Sequence, residues 1–251
     1  MHYLVIFPGS SLPTGNAAGI QQAIVESQSS FLMEQLPAIL CLHGAGTNAK
    51  IFELQAHNII QAMNKNFRFI FINAPFESRP GPGVVPIYLG MEPYLWWHCD
   101  ESAAEQFDID ICEVQRRRKQ VRELLHSTLE KDNVVGLMAF SQGARVATGL
   151  LLDEELGSKI QFALFISATF PALPVQDHIS PESTISIPLV HVQGTSDPWA
   201  AEGNRLRETY FDKGRTTLIK FSGGHTVPTT QLDARRVAMA VKKARGSTAS
   251  S

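Results

Sequence analysis

Along the chain, unbroken apolar runs alternate with segments in which apolar residues recur every three or four positions. The runs are "AILCLH" from Ala38, "FRFIFIN" from Phe67, "VVGLMAF" from Val134, "QFALFIS" from Gln161, "IPLVHVQ" from Ile187 and "TTLIKF" from Thr216. Such runs predict strands buried on both faces. Between them, "IFELQAHNIIQAM", "QGARVATGLLLDEEL", "AEGNRLRETYFD" and "TTQLDARRVAMAVKKA" carry helical spacing. "AAEQFDIDICEVQRRRKQVRELLHSTLEK" sets Phe107, Ile111, Val114, Val121, Leu125 and Leu129 along one face and predicts a single long helix. Strands alternating with amphipathic helices predict an α/β fold, a mostly parallel central sheet with helices on both faces.

Two stretches depart from this rhythm. "APFESRPGPGVVPIYLGMEPYLWW", Ala74 to Trp97, is too rich in Pro and Gly for a ladder or helix and predicts a long, lid-like surface loop. Residues 1–36 precede the first run, are rich in Ser, Gly, Gln and Ala where they approach it, and form an extension whose structure the pattern leaves open. One domain is expected over 37–245, with 246–251 a disordered tail.

With 251 residues, 44% of them hydrophobic, the chain can bury one substantial core. A formal charge of -2 gives no general electrostatic reason to bind nucleic acid or an anionic membrane. The three cysteines, Cys41, Cys99 and Cys112, lack C-x-x-C spacing, and "MHYLVIFPGSS" is too short an apolar stretch for a secretion signal or a span. A soluble, cytoplasmic protein is expected.

In a parallel sheet, function collects in the loops after the carboxyl ends of the strands. Ser141 stands there in "AFSQGAR", between a strand and a helix, as Ala139-x-Ser141-x-Gly143. A sharp strand-to-helix turn that presents a nucleophile needs small residues two positions to either side, and alanine is the smallest after glycine. Asp197 in "GTSDPW" and His225 in "SGGHTVP" follow the last two runs. A serine hydroxyl needs a base to take its proton, and the base needs a partner to fix its tautomer; His225 and Asp197 supply these roles in the chain order Ser, Asp, His. Asp197 before Pro198 also has the pattern of a helix cap. "LHGAGTN" provides a tight turn after the first strand, and the backbone N–H groups of Ala45 and Gln142 are the expected oxyanion hole.

The motifs "LCLHGAGTN", "NAPFESRPGPGVVP", "FSQGARVATGLLL", "GTSDPW" and "GGHTVP" together resemble the fungal serine hydrolase family, FSH, of the α/β-hydrolase superfamily, from about Ala38 to Ala244. "PGPGVVP" and "FSQGARVA" are most similar to the stand-alone esterases and thioesterases of fungal polyketide gene clusters, including the enzyme that releases the lovastatin nonaketide. The resemblance implies an α/β-hydrolase fold, nucleophile Ser141, acid Asp197 and base His225, and release of a polyketide acyl chain from an acyl carrier protein in secondary metabolism. Ala139, in place of the first elbow glycine, and residues 1–36 depart from the family pattern.

Other features bear on the substrate and partners. Phe76, Tyr88, Trp96 and Trp97 are candidate pocket residues, with Tyr94 beside them, or else anchors holding the loop to the body. "RRRKQVR", from Arg116 to Arg122, is a solvated helix face or a docking patch for an acidic acyl carrier protein. His98, Cys99, Asp100 and Glu101 are adjacent, point in different directions and lack a second ligand cluster, so no metal is expected. "GAG" is too short for a dinucleotide fingerprint, so no cofactor is expected. A general carboxylesterase and an acyltransferase share the same machinery, and a dead-site binding module on the same fold is the non-enzyme alternative.

Overall fold

The computed structural model describes residues 35–98, 101–106, 108–176 and 184–248. All but the last two residues of the expected extension, together with Cys99 and Phe107, lie outside the described residues. In chain order the strands are β1 (Ala38–Leu42), β2 (Arg68–Ile72), the short β3 (Phe76–Glu77) and β4 (Leu95–Trp96), β5 (Val134–Phe140), β6 (Phe162–Ile166), β7 (Leu189–Gly194) and β8 (Thr216–Phe221). The helices are α1 (Ala49–Gln55), α2 (His57–Met63), α3 (Glu101–Gln106), α4 (Ile111–Lys131), α5 (Gln142–Leu152), α6 (Glu154–Gly157), α7 (Ala200–Tyr210) and α8 (Gln231–Thr248).

Each of the six apolar runs forms a strand of one sheet, ordered β2-β1-β5-β6-β7-β8, with every pairing parallel. Successive side chains leave opposite faces of a strand, so each face receives its own core. Leu40, Leu42, Leu137, Ala139 and Phe165 pack with Val121 and Leu125 of α4, Val146 and Leu150 of α5, and Leu206 of α7. Ile39, Cys41, Met138, Leu164 and Val190 pack with Phe52 of α1, Ile59 of α2, and Val237 and Val241 of α8.

Local breaks divide three of the expected helices, two of them at aspartate caps. The 51–63 segment breaks at Ala56, whose backbone (φ -87, ψ 3) leaves the helical region before α2 turns to pack on α8. The long 103–131 helix is instead α3 and α4: the Asp110 side chain accepts the Cys112 N–H at 2.6 Å and starts α4 afresh. Asp153 ends α5 and caps α6 by accepting the N–H groups of Glu155 and Leu156, both at 3.1 Å, while its carboxylate also takes Arg122 at 2.8 Å. Aspartate competes with helix continuation because its short side chain satisfies N–H groups that a new helix start leaves open. The Pro-rich excursion does hold a ladder, a two-residue antiparallel one pairing Phe76 with Trp96 and Glu77 with Leu95. Helix α8 runs to Thr248, into the segment expected to be a tail, since extending an established helix needs no new nucleus.

Among the described residues, no helix is long and apolar enough to cross a membrane, and Cys41 and Cys112 are free thiols. Among the described residues His43, His98 and His191 are buried, and for His43 and His191 burial governs the protonation state. Burial pushes His43, just past β1, down to about 4. Burial, reinforced by the nearby Arg207 charge, pushes His191 of β7 down to about 4. Both are neutral in the fold at pH 7, whereas an unfolded chain protonates them below about 6.5. Between those values the unfolded state binds more protons, so stability is complete above about 6.5 and is lost as pH falls towards 4, by roughly 3 kcal/mol per histidine. Urea midpoints are expected to fall steeply between pH 7 and pH 4.5, and His191→Leu is expected to shallow that fall; parallel curves for the two proteins would contradict a neutral buried His191.

Candidate active site

The turn between β5 and α5 gives Ser141 φ 52 and ψ -118, a conformation that costs about 1–3 kcal/mol for a residue with a side chain. Packing enforces it. A Cβ on Gly143 would lie 2.2 Å from the Leu42 carbonyl oxygen and 2.7 Å from that of His43, so only glycine lets α5 start this close to β1. Ala139, on the other side of the turn, is fully buried in the first core and its methyl is accommodated there. The Ser141 N–H donates to the Ile166 carbonyl at 3.1 Å, tying the turn to the end of β6.

The loops after β7 and β8 are joined by hydrogen bonds from Thr195 N to Phe221 O and from Ser196 N to Gly223 O, both 2.9 Å. They bring Asp197 under His225. His225 Nδ1 lies 3.0 Å from both carboxylate oxygens of Asp197, and its Nε2 lies 2.9 Å from Ser141 Oγ. Asp197 Oδ1 also accepts the Trp199 N–H at 2.9 Å, so the cap pattern and the triad pattern are the same carboxylate. Gln193 Nε2 donates to Asp197 Oδ2 at 2.7 Å. A carboxylate only accepts, which sets the amide orientation. Burial pushes the Asp197 carboxyl up, but the Trp199 N–H, the His225 ring and Ser167 outweigh it and hold the group below its usual range. The His225 ring is flanked by Trp199, edge-on at 4.5 Å, and by Phe140 at 5.3 Å.

The loop after β1 is fixed just as closely. His43 Nε2 accepts the Ala74 N–H at 2.9 Å, so the ring proton sits on Nδ1, which faces the Gly44 carbonyl at 2.8 Å. The His43 carbonyl accepts Trp97 Nε1–H at 2.8 Å. Gly46, at φ 69, donates its N–H to Leu95 at 2.8 Å, and a Cβ there would strike Gly81. The Gln142 side chain accepts the Trp97 N–H at 3.0 Å and donates to the His98 carbonyl at 3.1 Å. Among the described residues, no acceptor takes the backbone N–H of Ala45 or of Gln142, and the latter is one of the donors that a helix start leaves unpaired.

Ala45, Ser141 and His225 line a cavity of about 350 Å³, with Val84, Ile87, Tyr88, Phe140, Trp199 and Val227 among its apolar walls. Of the expected pocket residues only Tyr88 is there. Phe76 and Trp96 pair across β3 and β4 beside the Arg117 guanidinium, at 4.8 and 5.8 Å, and Trp97 is fully buried beneath the β1 loop. They anchor the excursion: the ladder sets Phe76 and Trp96 beside α4, and the Trp97 indole is tied to the His43 carbonyl. Sequence reasoning missed Gln193, Trp199, Phe140 and Ile87. Proximity to the motif residues marks the first three; Ile87 carries no signal apart from its loop.

The basic run is largely neutralised within the chain. Arg116 and Arg117 both pair with Glu113, Arg118 is 6% exposed and faces Glu101 at 3.5 Å, and Arg122 holds Asp153 and Glu155. Arg116 and Lys119 stay exposed, Lys119 at 3.9 Å from Glu123, so the run is a partly solvated face laced with ion pairs.

A parallel sheet with a strained serine turn, joined to a histidine and a buried aspartate from the next loops, defines a serine hydrolase on the α/β-hydrolase fold. The chain belongs to the family described as Serine hydrolase (FSH1), whose model matches residues 33–237. It is 47% identical over 237 residues to Thioesterase FSL2 of Gibberella zeae, covering 86% of this chain and 96% of that protein. It is 31% identical over 204 residues to Esterase FUS5 of Gibberella moniliformis (79% and 82% covered) and 32% identical over 219 residues to Esterase mlcF of Penicillium citrinum (78% and 85%). The Bacillus cereus carboxylesterase structure is similar in fold, with TM-score 0.54, 18% identity, and 84% of this chain and 90% of that one covered.

Because Gln193 is buried and donates directly to Asp197, replacing it by the similarly shaped methionine removes a donor to a charged acceptor without emptying its space. Gln193→Met is expected to lower kcat/KM about tenfold, read by ester hydrolysis at pH 8. An unchanged rate would mean that Trp199, His225 and Ser167 hold the carboxylate without Gln193.

Proposed function

We propose that the protein is a thioesterase that releases a polyketide acyl chain from an acyl carrier protein in fungal secondary metabolism. Ser141 Oγ attacks the thioester carbonyl and passes its proton to His225 Nε2. Asp197 keeps the ring oriented and stabilises the imidazolium, and the N–H groups of Ala45 and Gln142 receive the oxyanion. Collapse breaks the carbon–sulfur bond, and the departing thiolate takes the proton from His225. Water, deprotonated by the same ring, then hydrolyses the acyl-serine to a free acid and restores the hydroxyl.

The observation that carries this reading is the continuous chain from Ser141 through His225 to Asp197, at 2.9 and 3.0 Å, on a strained turn. Preference for a thioester is supported by the 47% identity to a protein named a thioesterase along nearly its whole length. The relatives named esterases favour, as a second reading, a general carboxylesterase. Ala139, the feature that invites a dead site, fits its turn without displacing Ser141.

The test compares fluorophosphonate labelling and turnover of matched acyl thioesters and oxygen esters in wild type and Ser141→Ala. Labelling is expected to vanish in Ser141→Ala and turnover to fall at least about a thousandfold, with wild type favouring the thioester, more so on an acyl carrier protein. Equal rates on the ester and the thioester would favour the carboxylesterase. A folded wild type that neither labels nor turns over would leave a binding module.

A further inference from the structure

We propose that the outward face of the segment from Val84 to Leu89 is a subsite for the distal part of a long, apolar acyl chain, an inference resting on acylation of Ser141 within the cavity. The segment lies between Gly83 (φ 76) and Gly90 (φ 82), and nothing approaches a Cβ at either glycine. Its inward side is held. Val84 packs with Ile51 and Tyr94, Tyr88 joins that cluster, and the Tyr94 hydroxyl donates to the Tyr88 carbonyl at 3.0 Å. The outward side is apolar and bare, with Val85 43%, Ile87 74% and Leu89 69% exposed.

Three large apolar side chains exposed within five residues form a patch of the kind that marks a binding surface. The other strongly exposed apolar residues among those described, Leu54, Ile111, Leu232 and Met239, are on helices, and none lines the cavity that holds Ser141. Ile87 belongs to both surfaces: it lines that cavity and is itself mostly exposed, so the cavity wall continues onto the patch. The cavity, about 350 Å³, lies near the lower end of small-molecule sites, and among the described residues no Asp, Glu, Lys or Arg lines it. A short uncharged acyl group fits within it; a longer one emerges over Ile87 onto Val85 and Leu89. Each methylene moved from water onto such a face is worth up to about fourfold in binding.

The experiment uses butyryl, octanoyl and dodecanoyl thioesters of one small thiol, held below their aggregation concentrations as checked by light scattering. In wild type, kcat/KM is expected to rise at least about tenfold from butyryl to dodecanoyl. In the double variant Val85→Ser, Leu89→Ser, the dodecanoyl-to-butyryl ratio is expected to fall about tenfold, with KM carrying the change. An unchanged ratio in the variant, or no chain-length preference in wild type, overturns the subsite. A preference that appears only above the aggregation concentration also overturns it, because the patch then meets a lipid–water interface and not a single chain. If wild type cleaves only oxygen esters, the same ratio is read on those esters, so failure of the thioester reading and failure of the subsite remain distinct. Retained turnover in Ser141→Ala would sink the acyl-serine reading whatever the ratio.

Discussion

The close approach of Gly143 to the Leu42 and His43 carbonyls sets the geometry of the turn that carries Ser141. Helix α5 can begin above the end of β1 only if the second residue after Ser141 has no side chain, and once it begins there the chain must reverse within a residue. The resulting backbone strain is small beside the packing that imposes it: β5 is buried along its whole length, and most of α5 faces the first core. The contact therefore concerns the sheet as much as the site, since β1 and β5 are paired neighbours within it.

Three further loops converge on that turn, each fastened by polar groups whose burial leaves little choice of partner. His43 ties the end of β2, through Ala74, to the loop that holds Ala45, and does so as a neutral ring because burial disfavours its cation. Ser167, at φ 44 after β6, donates to the Thr226 carbonyl beside His225 at 3.3 Å. Gln193 reaches Asp197 from within β7 itself. A buried donor without a partner is costly, so these ties supply order more than net stability. Their combined effect is that the serine, histidine and aspartate meet without any of the three loops carrying the geometry alone.

The sheet was legible in the sequence because strands buried on both faces must be apolar throughout, which holds for β1, β5, β6 and β7; the edge strands β2 and β8 are only partly buried, with Thr217 and Lys220 exposed, and their runs became strands as well. The serine, aspartate and histidine were legible because strand ends in a parallel sheet share one edge, so chain order and residue type sufficed to pick them out. Helix boundaries were less so: Asp110 and Asp153 cap new helices where the apolar spacing continues unbroken, and periodicity does not register a cap. The pocket aromatics were misplaced for a different reason. Which way Phe76 and Trp96 face depends on a two-residue ladder formed between positions far apart in the chain, inside a segment whose proline content argues against any ladder.

That ladder also divides the excursion mechanically. Its base is clamped by β3 and β4, by Arg117 against Phe76 and Trp96, and by the Trp97 indole on the His43 carbonyl. Arg117 is held in this clamp while it shares Glu113 with Arg116, so part of the basic run is engaged within the chain and Lys119 stays exposed. The base in turn supports the loop after β1, through Gly46 and Thr47 against Leu95. Only the stretch between Gly83 and Gly90 is held from one side. The excursion is thus fastened at its base, and its outer part is attached mainly through Val84 and Tyr88, so its exposed residues can differ without disturbing the loop after β1.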